Sequence, residues 1–229
     1  MMGALARWGR GIEAFLLPER CPGCGSEPGA DRLLCEACWS LVPRLDQALC
    51  VRCLRLERDP SSCSAHPGFQ TWCGWIYDER MALVVQALKF GRRRGLAPAL
   101  GAALAHSLPI HYRPDLVLDV PLHPARQRER GYNQAALLAD SLALRLGSPR
   151  LPLALRRLRP TAPQSGLSAR ERRRNLAGAF GVDRPAALRD REVLVVDDVL
   201  TTGSTLEAAL ATLRDCGARA RGVALAWAS

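Results

Sequence analysis

The order of apolar and polar residues divides the chain into two textures. From residue 71 onward, strand-like apolar runs alternate with stretches whose apolar positions recur every three or four residues, the period of one helix face. Residues 71–77 alternate as a strand. Residues 79–90 and 96–108 carry helical spacing, parted by the basic break Gly91-Arg92-Arg93-Arg94-Gly95. Residues 116–122 read as a buried strand entered from Pro114 and closed at Pro121, and residues 133–146 as a helix ended by Gly147. Residues 151–155 and 178–182 read as short strands. Val193-Leu-Val-Val196 reads as a buried strand, residues 206–216 as a helix with Gly217 at its C-cap, and residues 222–227 as a last strand. Strands alternating with helices predict an α/β fold: a mostly parallel sheet flanked by helices, with ligands beyond the carboxyl ends of its strands.

Residues 1–70 lack this regularity. The first sixteen place Leu5, Trp8, Ile12, Phe15 and Leu16 at helical spacing with Arg7, Arg10 and Glu13 between them. The pattern reads as a short amphipathic helix; it has no uncharged core or small-residue cleavage site of a secretion signal. No apolar run in the chain reaches the ~18 residues of a membrane span, so the expected location is the cytoplasm. Residues 21–66 then hold four ligand pairs at one spacing: Cys21-x-x-Cys24, Cys35-x-x-Cys38, Cys50-x-x-Cys53 and Cys63-x-x-His66. A Cys-x-x-Cys turn aims two thiolates at one ion, and two turns complete a tetrahedron. Eight of the nine cysteines lie between positions 21 and 73, and in a cytosolic chain such clustering means metal more often than disulfides. The expectation is structural Zn2+ at Cys21, Cys24, Cys35 and Cys38, and a second at Cys50, Cys53, Cys63 and His66. Spacers of ten and nine residues favour this sequential pairing over a cross-braced one. Cys73 competes with His66 as the last ligand. The ribbon is expected over residues 1–70 and the α/β domain over 71–229.

The strand at 193–196 runs into two adjacent carboxylates, Asp197 and Asp198, and then Val-Leu-Thr201-Thr202-Gly203-Ser204-Thr205. The hydroxyls, a glycine that lets the backbone come close, and a helix N-terminus with free N–H groups suit a phosphate. The carboxylates would stand at sugar-hydroxyl distance from it, so the expected ligand is a phosphorylated ribose. Walker A would need a Gly-Lys pair and the dinucleotide fingerprint its three glycines; neither occurs here. The stretch instead resembles the phosphoribosyl pyrophosphate (PRPP) loop of type I phosphoribosyltransferases. That resemblance implies that Asp197 and Asp198 are catalytic and bind the ribose hydroxyls, with Thr201, Thr202, Gly203, Ser204 and Thr205 on the 5′-phosphate. It also implies Mg2+ accompanying PRPP.

Charge adds a second layer. The formal net charge is +10 and the pI about 9.7. Arginine abundance fits codon bias in a chain rich in Ala and Leu, but the excess of positive charge points to polyanionic partners. Lys89 is the single lysine among 32 basic residues, kept where a compact ammonium is wanted, and is a candidate pyrophosphate or phosphate contact. The exit of the strand at 116–122 places Leu122, His123 and Arg126 as candidate pyrophosphate contacts. Arg130, in Arg130-Gly-Tyr-Asn-Gln134, offers a bidentate phosphate fork. Residues 156–175 carry Arg156, Arg157, Arg159, Arg170, Arg172, Arg173 and Arg174 against Glu171 alone, with Thr161, Gln164 and Ser165 between. A lid over a phosphorylated ligand and a nucleic-acid contact both fit this loop. Scarce aromatics argue against base stacking there.

Taken together, the paired cysteines, Ala87-Leu-Lys89-Phe90, Val120-Pro-Leu-His123, Arg130-Gly-Tyr-Asn-Gln134, Gln164, Arg170, Asn175-Leu-Ala-Gly-Ala-Phe180 and residues 197–205 resemble the ComF family, which includes the GntX-like proteins. The resemblance covers nearly the whole chain. It implies a double zinc ribbon before a type I phosphoribosyltransferase domain, and a role in DNA uptake during natural transformation. His66 departs from the usual cysteine, and Tyr132 from a common Phe. Three functions stay open: PRPP binding with phosphoribosyl transfer to an unknown acceptor, an adaptor for single-stranded DNA and a helicase or another competence protein, and nucleobase salvage.

Overall fold

A computed structural model describes residues 20–27, 33–45, 47–57, 63–90, 93–159, 176 and 178–228. The helix read over residues 1–16 lies outside the described residues, as do Thr161, Gln164, Ser165, Arg170, Glu171, Arg172, Arg173, Arg174 and Asn175. Among the described residues, no helix is long and apolar enough to cross a membrane.

The strands are β1 (Ala48–Cys50), β2 (Leu56–Glu57), β3 (Gln70–Ile76), β4 (Leu116–Asp119), β5 (Leu155–Arg157), β6 (Phe180–Val182), β7 (Glu192–Leu200) and β8 (Arg219–Trp227). Six of them form one sheet in the order β2-β1-β3-β8-β7-β4; β5 and β6 pair separately and antiparallel. The four strands β3, β8, β7 and β4 are mutually parallel, as the alternation with helices required. The helices are α1 (Glu36–Ser40), α2 (Glu79–Lys89), α3 (Leu96–Leu104), α4 (Pro124–Arg130), α5 (Gln134–Leu146), α6 (Pro185–Leu188) and α7 (Ser204–Asp215).

The pleat of β7 divides two cores. Leu194 and Val196 face α2, α3 and α5, which contribute Met81, Val85, Leu88, Leu100, Leu138 and Leu142. Val193 and Val195 face α7 and α6, which contribute Leu206, Leu210, Leu213 and Leu188. Successive side chains of a strand point to opposite faces, so a continuous apolar run is what a strand covered on both sides requires.

Local chemistry explains where elements begin and end. Asp78 caps α2, accepting from the Met81 amide at 2.8 Å, and Asn133 caps α5 from Ala135 at 3.1 Å. Gly147 closes α5 at φ +67°. The helical spacing over 96–108 resolves into α3 and a 3₁₀ turn at Ala105–Ser107. The strand expected over 116–122 stops at Asp119, two residues before Pro121, and the one expected over 151–155 forms at Leu155–Arg157. A further helix, α4, occupies what the sequence shows as a strand exit and basic turn. Pro124 starts it, His123 caps it through Nδ1, and Gly131 ends it at φ +77°.

The cysteine-rich region is continuous with the sheet. β1 pairs antiparallel with β3, with Leu49 opposite Thr71 and Cys50 opposite Gln70. Cys21, Leu34, Cys35, Cys38 and Val42 share one core with Trp75 and α2.

Candidate phosphoribosyl site and zinc centres

The expected strand at 193–196 extends to Leu200, so Asp197 and Asp198 lie within β7 rather than past its end. On one side, β8 accompanies them, with Asp197 opposite Ala224 and Val199 opposite Ala226. On the other, β4 has already ended at Asp119, and the amide of Val120 makes the last bond, to the Val196 carbonyl at 2.9 Å. The carboxylates therefore stand at the carboxyl edge of β4, where an α/β sheet opens a crevice. Asp197 accepts from the Asp198 amide at 2.9 Å, and Asp198 from the Val199 amide at 2.6 Å. Burial, and then the neighbouring charge of Asp198, push the Asp197 carboxyl up to about 7. Lys89, at the C-terminal end of α2, reaches Asp198 Oδ2 at 3.1 Å, which gives the lone lysine its place in the site.

The turn after β7 ends in Gly203 at φ +73°, and α7 starts at Ser204. The first α7 rung runs from the Glu207 amide to the Gly203 carbonyl at 2.8 Å, leaving the preceding first-turn amides without helical acceptors. Thr202 and Ser204 hydroxyls lie 3.1 Å apart. Thr201 is exposed and Thr205 half-buried. A Cβ on residue 203 would lie 2.1 Å from the Val51 carbonyl oxygen, so only glycine fits.

The other expected contacts lie on the segment that follows β4. Arg126 is exposed on α4, and Leu122 and His123 are half-buried before it. Asn133 ties the β4 exit, donating to Asp119 Oδ2 at 2.8 Å and to the Val120 carbonyl at 3.0 Å. Arg130 turns to Gln134 Oε1 at 3.1 Å and to the exposed ring of Phe90 at 5.1 Å. Arg157, on β5, is a residue the sequence does not single out from the basic loop. Its guanidinium is held down by burial and then by the Arg126 charge, while Asp197 opposes. It stands opposite Phe180 in the β5–β6 pair, its guanidinium 5.6 Å from that ring. The signal in sequence is only its membership in an arginine run; the β5–β6 pairing selects it.

The cysteine pairs close into two clusters as expected. The donor atoms of Cys21, Cys24, Cys35 and Cys38 lie within 4.8 Å of one another, and so do those of Cys50, Cys53, Cys63 and His66. Measured separations are 3.4 Å for Cys24–Cys35, 3.8 Å for Cys53–Cys63, and 3.7 Å from Cys50 Sγ to His66 Nδ1. A tetrahedral zinc with bonds of about 2.3 Å sets edges near 3.8 Å. No cysteine is in a disulfide. Ser26 holds the Cys24 thiol down to about 6, while Cys24 beside it pushes Cys38 up to about 12. Four such sulfurs ionise together only around a cation, so the donor set fits zinc. Cys73 is resolved against: it lies in β3 in the core, with burial pushing its thiol well up.

Comparison with known proteins finds both components of the fold. Residues 12–66 match the double zinc ribbon domain, and residues 133–229 the phosphoribosyl transferase domain. The chain is 35% identical over 193 residues to DNA utilization protein YhgH of Escherichia coli O157:H7, covering 81% of this chain and 80% of that protein. It is 38% identical over 151 residues to competence protein F of Haemophilus influenzae, covering 62% and 65%. It is 24% identical over 204 residues to competence protein ComFC of Streptococcus pneumoniae, covering 82% and 84%. Among solved structures, glutamine PRPP amidotransferase from B. subtilis aligns with a TM-score of 0.43 and 20% identity, over 61% of this chain and 30% of that one. With two zinc-ligand clusters preceding a mostly parallel sheet, and this identity to YhgH over most of both chains, the protein belongs to the ComF family.

Proposed function

We propose that the protein binds PRPP in the crevice beyond β4 and serves DNA uptake or utilization in the cytoplasm. The observation that carries the reading is the placement of Asp197 and Asp198 one and two residues past the last β4–β7 bond, with the αL glycine turn and the α7 N-terminus following the end of β7. In this reading the 5′-phosphate lies on residues 201–205 and the ribose hydroxyls donate to the two carboxylates. The pyrophosphate extends toward Leu122, His123 and Arg126, with Lys89 and Arg157 supplying positive charge. Mg2+ would arrive with the pyrophosphate, and the carboxylates are the hard oxygen donors suited to it. Transfer would break the bond from ribose C1 to pyrophosphate and form one to an acceptor nucleophile. Two carboxylates beneath the ring stabilise the positive charge that develops at C1. The ribbon is assigned to residues 1–70 and the transferase body to 71–229.

Calorimetry with PRPP and Mg2+ tests the binding. Wild type should bind and Asp197→Ala should lose affinity at least about tenfold, the worth of a charged hydrogen bond. Absence of binding by wild type would refute the reading. Release of pyrophosphate over a panel of nucleobases and single-stranded DNA then identifies any acceptor.

A second reading, an adaptor for single-stranded DNA and for a helicase or other competence protein, is favoured by α4. It exposes Arg126 and Arg128 on the segment that follows β4, with Glu129 as the acidic residue of the helix. Phosphate contacts would make DNA affinity fall steeply with salt; a flat dependence removes this reading.

A further inference from the structure

The second zinc cluster and the phosphate turn are in direct contact. Cys50 and Cys53 flank Val51 and Arg52, and both of those residues touch the turn or the first coil of α7. Val51 is fully buried, its amide bonded to the Phe69 carbonyl at 2.9 Å. Its carbonyl and methyl group occupy the space where a residue-203 side chain would go, 2.1 and 2.9 Å from a Cβ there. Arg52 Nε donates to Glu207 Oε1 at 2.8 Å. Glu207 is itself buried, and its amide makes the α7 rung to Gly203. The Phe69 ring lies 4.2 Å from the Arg52 guanidinium and 5.5 Å from that of Arg214. Arg214, in the last turn of α7, donates to the Gly68 carbonyl at 3.1 Å. Gly68 and Phe69 follow the ligand His66 closely, and the Phe69 amide bonds back to the His66 carbonyl at 3.4 Å. Both ends of α7 are thus tied to chain that the second cluster shapes. The first cluster lies in the opposite core, with Trp75 and α2.

We propose that Val51 and Arg52 are positioning residues for the phosphate turn, so that metal at Cys50, Cys53, Cys63 and His66 and phosphate at residues 201–205 bind cooperatively. This rests on the phosphate site of the preceding section. A knuckle without its ion loses the fold that metal supplies. Gly203 then loses the backbone it packs on, and Glu207 loses the guanidinium that fixes the first coil of α7. Linkage is reciprocal: a phosphate that orders the turn must hold the second zinc more tightly. The first zinc, in the other core, should be indifferent.

The test uses the full chain loaded with zinc and the probe ribose 5-phosphate, which reads the turn without pyrophosphate or Mg2+. Zinc release to a chromophoric chelator is followed with and without saturating probe. Probe affinity is measured for wild type, Arg52→Ala, Glu207→Gln and the exchange Arg52→Glu with Glu207→Arg. In wild type, the probe should slow one of two release phases at least about fivefold, the lower range of allosteric coupling, and leave the other unchanged. Arg52→Ala and Glu207→Gln should each weaken the probe at least about fivefold, and the exchanged pair should recover part of the loss. A merely structural role would not be rescued by exchange. Wild type that binds the probe with both release phases unmoved and Arg52→Ala unimpaired overturns the coupling alone. Wild type that does not bind the probe removes the phosphate site and the coupling with it. The wild-type release measurement decides the matter even where a variant fails to fold.

Discussion

Asp197 illustrates what one residue's surroundings dictate. Its carboxyl is pushed up to about 7 by burial and by Asp198, with Lys89 among the opposing charges. An ionised carboxylate must accept the ribose hydroxyl, so a proton competes with the ligand. Affinity for PRPP should therefore rise about tenfold from pH 6 to pH 8 through this group, as for one proton competing at a midpoint near 7. PRPP titrates too, so the measurement is the difference between wild type and Asp197→Asn, whose profile should lack this component. Stability runs the other way. The folded state holds the proton more strongly than the unfolded one, so the contribution of Asp197 falls as pH rises from about 4 through 7. Asp197→Asn should melt above wild type at pH 8, with the gap closing by pH 4. Lys89→Ala removes an ammonium 3.1 Å from Asp198 and should move the binding midpoint upward; an unmoved midpoint would detach Lys89 from the site. Asp197, Asp198 and the glycine turn were legible in sequence because adjacent carboxylates after an apolar run need a partner. Arg157 was not: an arginine in a run of seven carries no mark until β5 and β6 pair and set it opposite Phe180.

Among elements, those with strong periodicity and caps were legible, and those made by tertiary context were not. α2 announces itself through the apolar spacing over 79–90, and α5 through that over 133–146 and its stop at Gly147. α4 has no apolar face, and its seven residues are held by a proline start, a histidine cap and a glycine stop, signals that a turn shares. β7 outruns its apolar core because β8 continues beside it through Leu200, a partnership invisible along the chain. α3 packs closely on α5 at Gly101. A Cβ at Gly101 would lie 2.6 Å from Ser141 Cβ and 2.8 Å from the Leu138 carbonyl, so the helices meet there at backbone distance. Gly101→Ala should cost about 1–3 kcal/mol, the usual penalty for overpacking. Gly95→Ala, where a Cβ meets nothing and φ is −61°, should stay within about 1 kcal/mol of wild type and can be stabilising. Chemical denaturation of the two variants checks the contrast. Equal effects would mean that α3 and α5 separate freely.

The whole molecule joins its two regions through one sheet and two cores. β1 and β2 belong to the second zinc unit by sequence and to the transferase sheet by hydrogen bonding. The first unit buries Cys21, Cys35 and Cys38 against Trp75, whose ring lies 5.2 Å from that of Trp39. A change in texture at residue 71 was legible in sequence. The continuity across it was not, because edge pairing of β1 on β3 depends on where the metal clusters put the chain. This continuity has a thermodynamic consequence. Were the ribbon a separate module, a strong chelator would unfold it and leave the α/β body melting as before. In the observed arrangement, metal loss frees β1 from the edge of β3 and opens the core around Trp39, Trp72 and Trp75, while Val51 withdraws from the α7 turn. Metal that binds only the native state contributes its binding free energy to folding. Chelation should therefore lower the melting temperature of the entire chain, with tryptophan fluorescence and far-ultraviolet circular dichroism moving together in one transition. Saturating ribose 5-phosphate should recover part of the lost stability only while the second zinc is present. Two separated transitions, with the later one unmoved by chelation, would show that the transferase body stands without its ribbon and that the shared sheet carries no cooperativity.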